Sequence, residues 1–345
     1  MPPRPVIDTI LNERYRILKS LGKGGFSETF LAQDDLSSAL RVVKCLKLSS
    51  TPSETTQELF EAEVQTLYQL GHLNQHVPAL FDHFVEERSL YLVQEFIDGL
   101  DLAQEIKEDQ TWNPKKIIEL LRQVLPTLQF LHSHQVIHGD IKPRNIIRRR
   151  DGQLVLIDFG AVKLASSPSS SSSSAQSIVV GTAGYMPNEQ QTGRSRFSSD
   201  LYALGMVVIQ GITGIHPRDL KEDPKTGEIQ WKSQTNFHPH LIKIIEKMVK
   251  VRLRERYSSA TAVLIDLDRF EQGQVHKQLP TQILYGSVIF SLLLGGVIGV
   301  WQPLAGISKN SPPPRSSSHP PIALQIIGIS IPITTLTALA RLRLW

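Results

Sequence analysis

Two carboxylates and an amide, Asp140, Asn145 and Asp158, stand in the stretches Val136-Ile137-His138-Gly139-Asp140-Ile141-Lys142-Pro143-Arg144-Asn145 and Ile157-Asp158-Phe159-Gly160. Phosphoryl transfer asks little covalent chemistry of a protein. It needs a carboxylate to orient the attacking hydroxyl and accept its proton, oxygen ligands for Mg²⁺, and cations against the phosphate charge. Asp140 suits the first task, Asn145 and Asp158 suit the second, and Lys142, two residues past the base, reaches the γ-phosphate. Any one of these aspartates alone reads as a cap or turn residue; their joint spacing selects the catalytic reading.

A second group lies upstream. Gly22-Lys23-Gly24-Gly25-Phe26-Ser27, bordered by Leu21, Glu28 and Thr29, sits between two expected strands, where small residues let backbone N–H groups approach nucleotide phosphates. Ser27 stands where G-x-G-x-x-G has its third glycine, so a small side chain is expected at a crowded turn. Lys44, in Val42-Val43-Lys44, is placed for the α- and β-phosphates. Glu63, in the next helix and on the same face as Leu67, is its expected ion-pair partner.

Elements of two kinds must carry these groups. Runs over 15–21, 28–33, 39–46, 79–84 and 90–96 have strand character, and residues 53–70 read as a helix with Ser53 as cap and Gly71 as stop. Beyond Gly99 the periodicity is helical, over 114–134 and then over 198–213, 238–250 and 259–270. The fold class expected is α+β, a β-rich lobe (15–97) followed by an α-rich lobe (98–271), with an N-terminal tail over 1–14. A serine tract, 166–174 broken only by Pro168, lacks the composition to bury a core and reads as a solvated insert.

The formal charge of +4 would suggest nucleic acid if it were spread along a face, but five of the 37 basic residues and none of the 33 acidic ones lie beyond Glu271. What precedes is near neutral with no basic stripe, so no nucleic-acid partner is expected. The single cysteine, Cys45, rules out an intramolecular disulfide and fits a small buried residue in a strand of a cytosolic protein. The first ten residues hold no apolar run of signal-peptide length, so the body of the chain is expected in the cytoplasm.

Past a linker over 272–282, residues 283–301 are uncharged, apolar and long enough to cross a bilayer. A Ser/Pro-rich loop over 302–321, a second apolar run over 322–340 and a basic tail over 341–345 follow. Pro332 is tolerable inside a membrane helix whose neighbour satisfies the freed carbonyl. Arg269 and Lys277 before the first run, with Arg341 and Arg343 after the second, outnumber Lys309 and Arg315 between them. That bias predicts a hairpin in the cell (inner) membrane, with the catalytic part cytoplasmic and the lipid bilayer as a partner.

LGKGGFSETFLA, LYLVQEFIDG, LIDFGAVK, GTAGYMPNEQ and SSDLYALGMV resemble the eukaryotic-like bacterial serine/threonine protein kinases, the cyanobacterial branch in particular, over about three quarters of the chain. The resemblance implies a two-lobed protein-kinase fold, ATP with Mg²⁺ or Mn²⁺, protein substrates phosphorylated on serine or threonine, autophosphorylation and a place in signalling. It further implies that Gln94 is the gatekeeper, that the backbone of Glu95 and Ile97 holds adenine, and that Thr182 lies in the loop seating the acceptor. Glu189 is expected to pair with Arg256, and Asp200 to brace the catalytic loop.

Three positions depart from the pattern. Gly139 replaces an arginine that meets an activation-loop phosphate, Asn188 replaces a proline and is expected to loosen the segment before Glu189, and Ser27 replaces a glycine. Two alternatives stand beside an active protein kinase. One is a nucleotide-binding scaffold without catalysis. The other is a small-molecule phosphotransferase, since His-Gly-Asp also occurs there; such enzymes lack the 181–189 segment and the helix bearing Asp200.

Overall fold

Alternation builds the first half of the chain. Tyr15 and Ile17 are buried while Arg16 and Leu18 are half-buried, so one face of the strand is covered and the other meets water. In the computed structural model, which describes residues 6–23, 27–47, 54–106, 111–164 and 180–278, such strands assemble a six-stranded sheet. They are β1 (Ile10–Leu11), β2 (Tyr15–Lys23), β3 (Ser27–Asp34), β4 (Leu40–Lys47), β5 (Leu80–Glu86) and β6 (Ser89–Glu95). The order is β1-β2-β3-β4-β6-β5, antiparallel throughout. One face buries Tyr15, Ile17, Phe30, Val43, Cys45 and Val93, with Phe84 stacked on Tyr91 at 5.1 Å. Helix α1 (Glu54–Leu70) connects β4 to β5.

The rest of the described chain is mostly helical. Short strands β7 (Gly99–Asp101), β9 (Ile146–Arg149) and β10 (Leu154–Leu156) form one ribbon, and β8 (Val136–Ile137) pairs with β11 (Lys163–Leu164) in another. The helices are α2 (Leu102–Glu105), α3 (Pro114–Ser133), α4 (Asn188–Gln191), α5 (Phe197–Thr213), α6 (Pro239–Met248) and α7 (Ala260–Gln278). Asn113 caps α3 by accepting from Lys116 N, with Pro114 at the first helical position, where its missing N–H costs nothing. Leu120, Leu121, Val124, Leu128 and Leu131 then turn one stripe of α3 into the core. Buried on nearly every side from Ser198 to Ile212, α5 is the central post of this lobe, and it ends at Gly214 in the left-handed conformation.

Three expectations need correction. Residues 8–11 are no loose tail: Asp8 N donates to Ile17 O at 2.8 Å, β1 extends the sheet, and Leu11 is buried, because an apolar residue there covers the end of the core. The expected linker at 272–282 is helical through Gln278, where helix α7 continues to the last described residue. Ser27 sits not in the turn but at the start of β3, opposite Leu46, because the ladder runs on to that residue. The serine tract and both apolar runs lie outside the described residues. Among the described residues, no helix is long and apolar enough to cross a membrane.

Candidate active site

Lys44 is where the sheet meets the helical lobe. It stands on β4 opposite Thr29 and Leu92, and its Nζ lies 2.8 Å from both oxygens of Glu63 on α1 and 2.8 Å from Asp158 Oδ1. Glu63 keeps 2% of its side-chain surface exposed and Asp158 keeps 42%. One carboxylate is therefore a buried anchor, and the other remains available to a ligand. Burial works against the Lys44 ammonium, but Asp158 and Glu63 outweigh it and hold its pKa above the ordinary lysine value. Burial raises Glu63 against the pull of Lys44, whereas Lys44 holds Asp158 below the usual carboxylate range despite burial. The pair that faces a ligand is thus charged, as a phosphate and cation site requires.

Asp158 adopts φ +63°, the left-handed region that few residues other than glycine and short polar ones enter. Phe159 behind it is fully buried, its ring 4.8 Å from that of His138. Gly160 is required by close approach. A Cβ there would stand 2.6 Å from Lys44 Nζ and 3.3 Å from both Asp158 Oδ1 and Glu63 Oε2. We expect Gly160→Ala to move Lys44 Nζ away from Asp158 and Glu63, and a structure of the variant with the lysine unmoved would refute the tight packing described here.

The loop between β8 and β9 carries the next group. Asp140 accepts from Lys142 Nζ at 2.6 Å and from Thr182 Oγ1 at 2.7 Å, and Lys142 also reaches Thr182 Oγ1 at 3.0 Å. Asn145 Nδ2 donates to Asp140 O at 2.9 Å and to Asp140 Oδ2 at 3.1 Å, which leaves its amide oxygen to offer a cation. Asp200, buried on α5, accepts from Gly139 N at 2.9 Å, His138 N at 3.0 Å and His132 Nε2 at 2.9 Å. Three donors on one buried carboxylate tie the loop to the central helix.

Gly139 has φ +79°, and a Cβ there would meet Ala161 O at 2.5 Å, so this backbone excludes the arginine of the expected pattern. Its carbonyl instead accepts from Gln190 Nε2, which also donates to Val180 O at 3.1 Å. A buried amide joins the loop to the segment bearing Thr182. Asn188 opens α4 directly after Pro187, so the turn keeps a proline one residue earlier. Glu189 accepts from Arg256 Nη1 at 2.7 Å and Ser199 Oγ at 2.8 Å.

The remaining expected residues that the structure describes lie on β2, β3 and β6 or just beyond β6. Gln94 is buried on β6, and its Oε1 has no hydrogen-bond partner among the described residues. Glu95 ends β6 with its N–H donated to Ala79 O at 2.9 Å, and Ile97 follows just outside the ladder. Among the described residues nothing lies within 4 Å of a Cβ on Gly22, and Leu21 and Lys23 are exposed beside it. Ser27, Glu28 and Thr29 return on β3, while Gly24, Gly25 and Phe26 lie outside the described residues. Residues the sequence reading did not single out include Gln190 and His132. Both are buried polar side chains whose roles depend on partners 51 and 68 positions away, and no local pattern marks them.

The protein kinase domain model matches residues 15–266. The chain belongs to the protein kinase family. Curated kinases similar to it include serine/threonine-protein kinase C of Synechocystis sp., 43% identical over 263 residues (74% of this chain, 49% of that protein). Serine/threonine-protein kinase PknA of Nostoc sp. is 40% identical over 267 residues (75% and 47%). Serine/threonine-protein kinase D of Synechocystis sp. is 41% identical over 280 residues (78% and 55%). The chain spans about half the length of these curated relatives. The fold is the two-lobed one of the family, a β-rich lobe before a helical one.

Proposed function

We propose that this kinase-family chain is an ATP-dependent protein serine/threonine kinase held at a membrane by the region beyond residue 280. The observation that carries the catalytic reading is the junction of Lys44 with Glu63 and Asp158, formed together with the Asp140–Lys142–Thr182 cluster. The donor set fits the nucleotide and metal of the family. Asp158 is charged and accessible, Asn145 presents an amide oxygen, and among the described residues a Cβ on Gly22 would meet nothing within 4 Å and Gln94 Oε1 has no partner. Bound ATP with Mg²⁺ or Mn²⁺ supplies the γ-phosphoryl group and the charge that neutralises it.

The chain's own groups do the positioning. Lys44 is fixed by Glu63 for the α- and β-phosphates. Asp140 orients the acceptor hydroxyl and takes its proton, in the manner in which Thr182 Oγ1 already donates to Asp140 Oδ1. Lys142, beside Asp140, screens the charge that develops on the transferred group. The Thr182 loop and the Asp200 brace favour a protein acceptor over a small molecule. Incubating the full chain in detergent with γ-labelled ATP and Mg²⁺ should label it on serine or threonine; no label at high enzyme concentration would sink the reading.

Regulation should differ from phosphate-clamped kinases. Gly139 offers no guanidinium, and the loop is tied to its neighbour by the uncharged Gln190. Phosphatase pretreatment is expected to leave the transfer rate within about twofold, whereas a loss of tenfold or more would show that a phosphate holds the loop after all. The membrane reading rests on the uncharged lengths of 283–301 and 322–340. Full-length chain should stay in the pellet when membranes are extracted at alkaline pH, and its release would refute integral insertion. A cytoplasmic kinase domain and a part in signalling belong to the same proposal.

A further inference from the structure

Residues 182–185 stand beside Asp140, to which Thr182 Oγ1 donates at 2.7 Å, and two guanidiniums flank that loop. Arg144 lies in the 3₁₀ turn Pro143–Asn145, between the general base and the metal-site amide. It is exposed and forms no ion pair among the described residues. Arg218 lies in the turn Pro217–Asp219, is exposed, and donates from Nε to Ala183 O at 3.2 Å. The two backbones run against each other here, since a Cβ on Gly184 would stand 3.1 Å from Arg218 N. Both charges act on Tyr185, whose phenol pKa burial raises and these two guanidiniums pull back down.

The nearby carboxylates do not cancel them. Asp140 is committed to Lys142 and Thr182, Glu189 to Arg256 and Ser199, and Asp219 makes no ion pair with Arg218 although it shares its turn. Two exposed guanidiniums beside this loop therefore have no carboxylate within ion-pair distance among the described residues. A segment carrying carboxylates would gain charge-assisted contacts there, and a basic segment would be repelled.

We propose that Arg144 and Arg218 select acceptor segments with aspartate or glutamate around the phosphorylated serine or threonine. The inference rests on the kinase reading above and names its substrate class. Each exposed ion pair contributes up to about fivefold, so the two give roughly tenfold in kcat/KM. The contribution shrinks as salt screens it.

The test uses the full chain with two peptides that share one acceptor residue, flanked by Asp/Glu in one and Lys/Arg in the other. The acidic peptide should show the higher kcat/KM by roughly tenfold, with the ratio narrowing between about 0.05 M and 0.5 M salt. Arg144→Ala with Arg218→Ala should bring the ratio towards one, and Arg144→Glu with Arg218→Glu should invert it, a change that a merely structural role could not produce. Equal use of the peptides, preference for the basic one, or a ratio unmoved by charge reversal would overturn the proposal. So would labelling of neither peptide by a chain that labels itself. A chain that labels neither peptide nor itself fails the kinase reading as a whole.

Discussion

Asp140→Asn should lower phosphoryl transfer by about 10²- to 10⁴-fold, the range a positioned general base supplies. An amide keeps the size of the side chain and can still accept from Thr182 Oγ1, so the loop should hold its shape. What is lost is the charge that takes the proton and the charged partner of Lys142, 2.6 Å away. Affinity for ATP should change little, because Lys44, Glu63 and Asp158 form a separate cluster with no hydrogen bond to Asp140 among the described residues. Steady-state kinetics of the full chain check both halves. Wild-type rates in the variant would remove Asp140 from the chemistry.

The second large effect is on stability. Arg256 is fully buried, its guanidinium donating to Glu189 Oε1 at 2.7 Å, Ser198 O at 3.1 Å and Lys250 O at 2.9 Å, and lying 4.8 Å over the Tyr202 ring. Replacing it by methionine fills much of the volume but strands a carboxylate with 9% of its side chain exposed, together with several buried carbonyls. Breaking such a pair from one side costs about 3–5 kcal/mol, and in a domain of this size that corresponds to a Tm lower by about 10 °C. The loss should persist in high salt, because water and ions do not screen a buried pair as they do a surface one. A Tm within about 2 °C of wild type would mean the pair contributes to shape rather than to stability.

Spacing located Lys44, Glu63 and Asp158, which the structure joins by hydrogen bonds, and Asp140, Lys142 and Asn145, which it joins in a second cluster. Lys44 and Asp158 are 114 positions apart, yet each sits in a short phrase whose chemistry is readable without its partner. The same holds for the long elements. The 3.6-residue stripe of α3 and the alternation of β2 declare their class locally because one face of each meets the core.

What was not legible depends on the other side of a contact. The Gln190 amide looks like surface polarity until Gly139 O and Val180 O are seen to close on it. Gly139 itself reads as a missing cation, whereas the backbone shows a position with no room for a Cβ beside Ala161 O. β1 reads as tail because two residues carry no period of their own, and only the register of β2 gives them a place.

Transfer of phosphate from ATP to protein hydroxyls is the activity we propose for this chain. Mass spectrometry of the full chain after incubation with ATP and Mg²⁺, alone and with an acidic peptide, tests it most directly. Phosphate on serine or threonine, present with wild type and absent with Asp140→Asn, is the predicted result. No phosphorylated residue in either preparation, or equal phosphorylation in both, would contradict it.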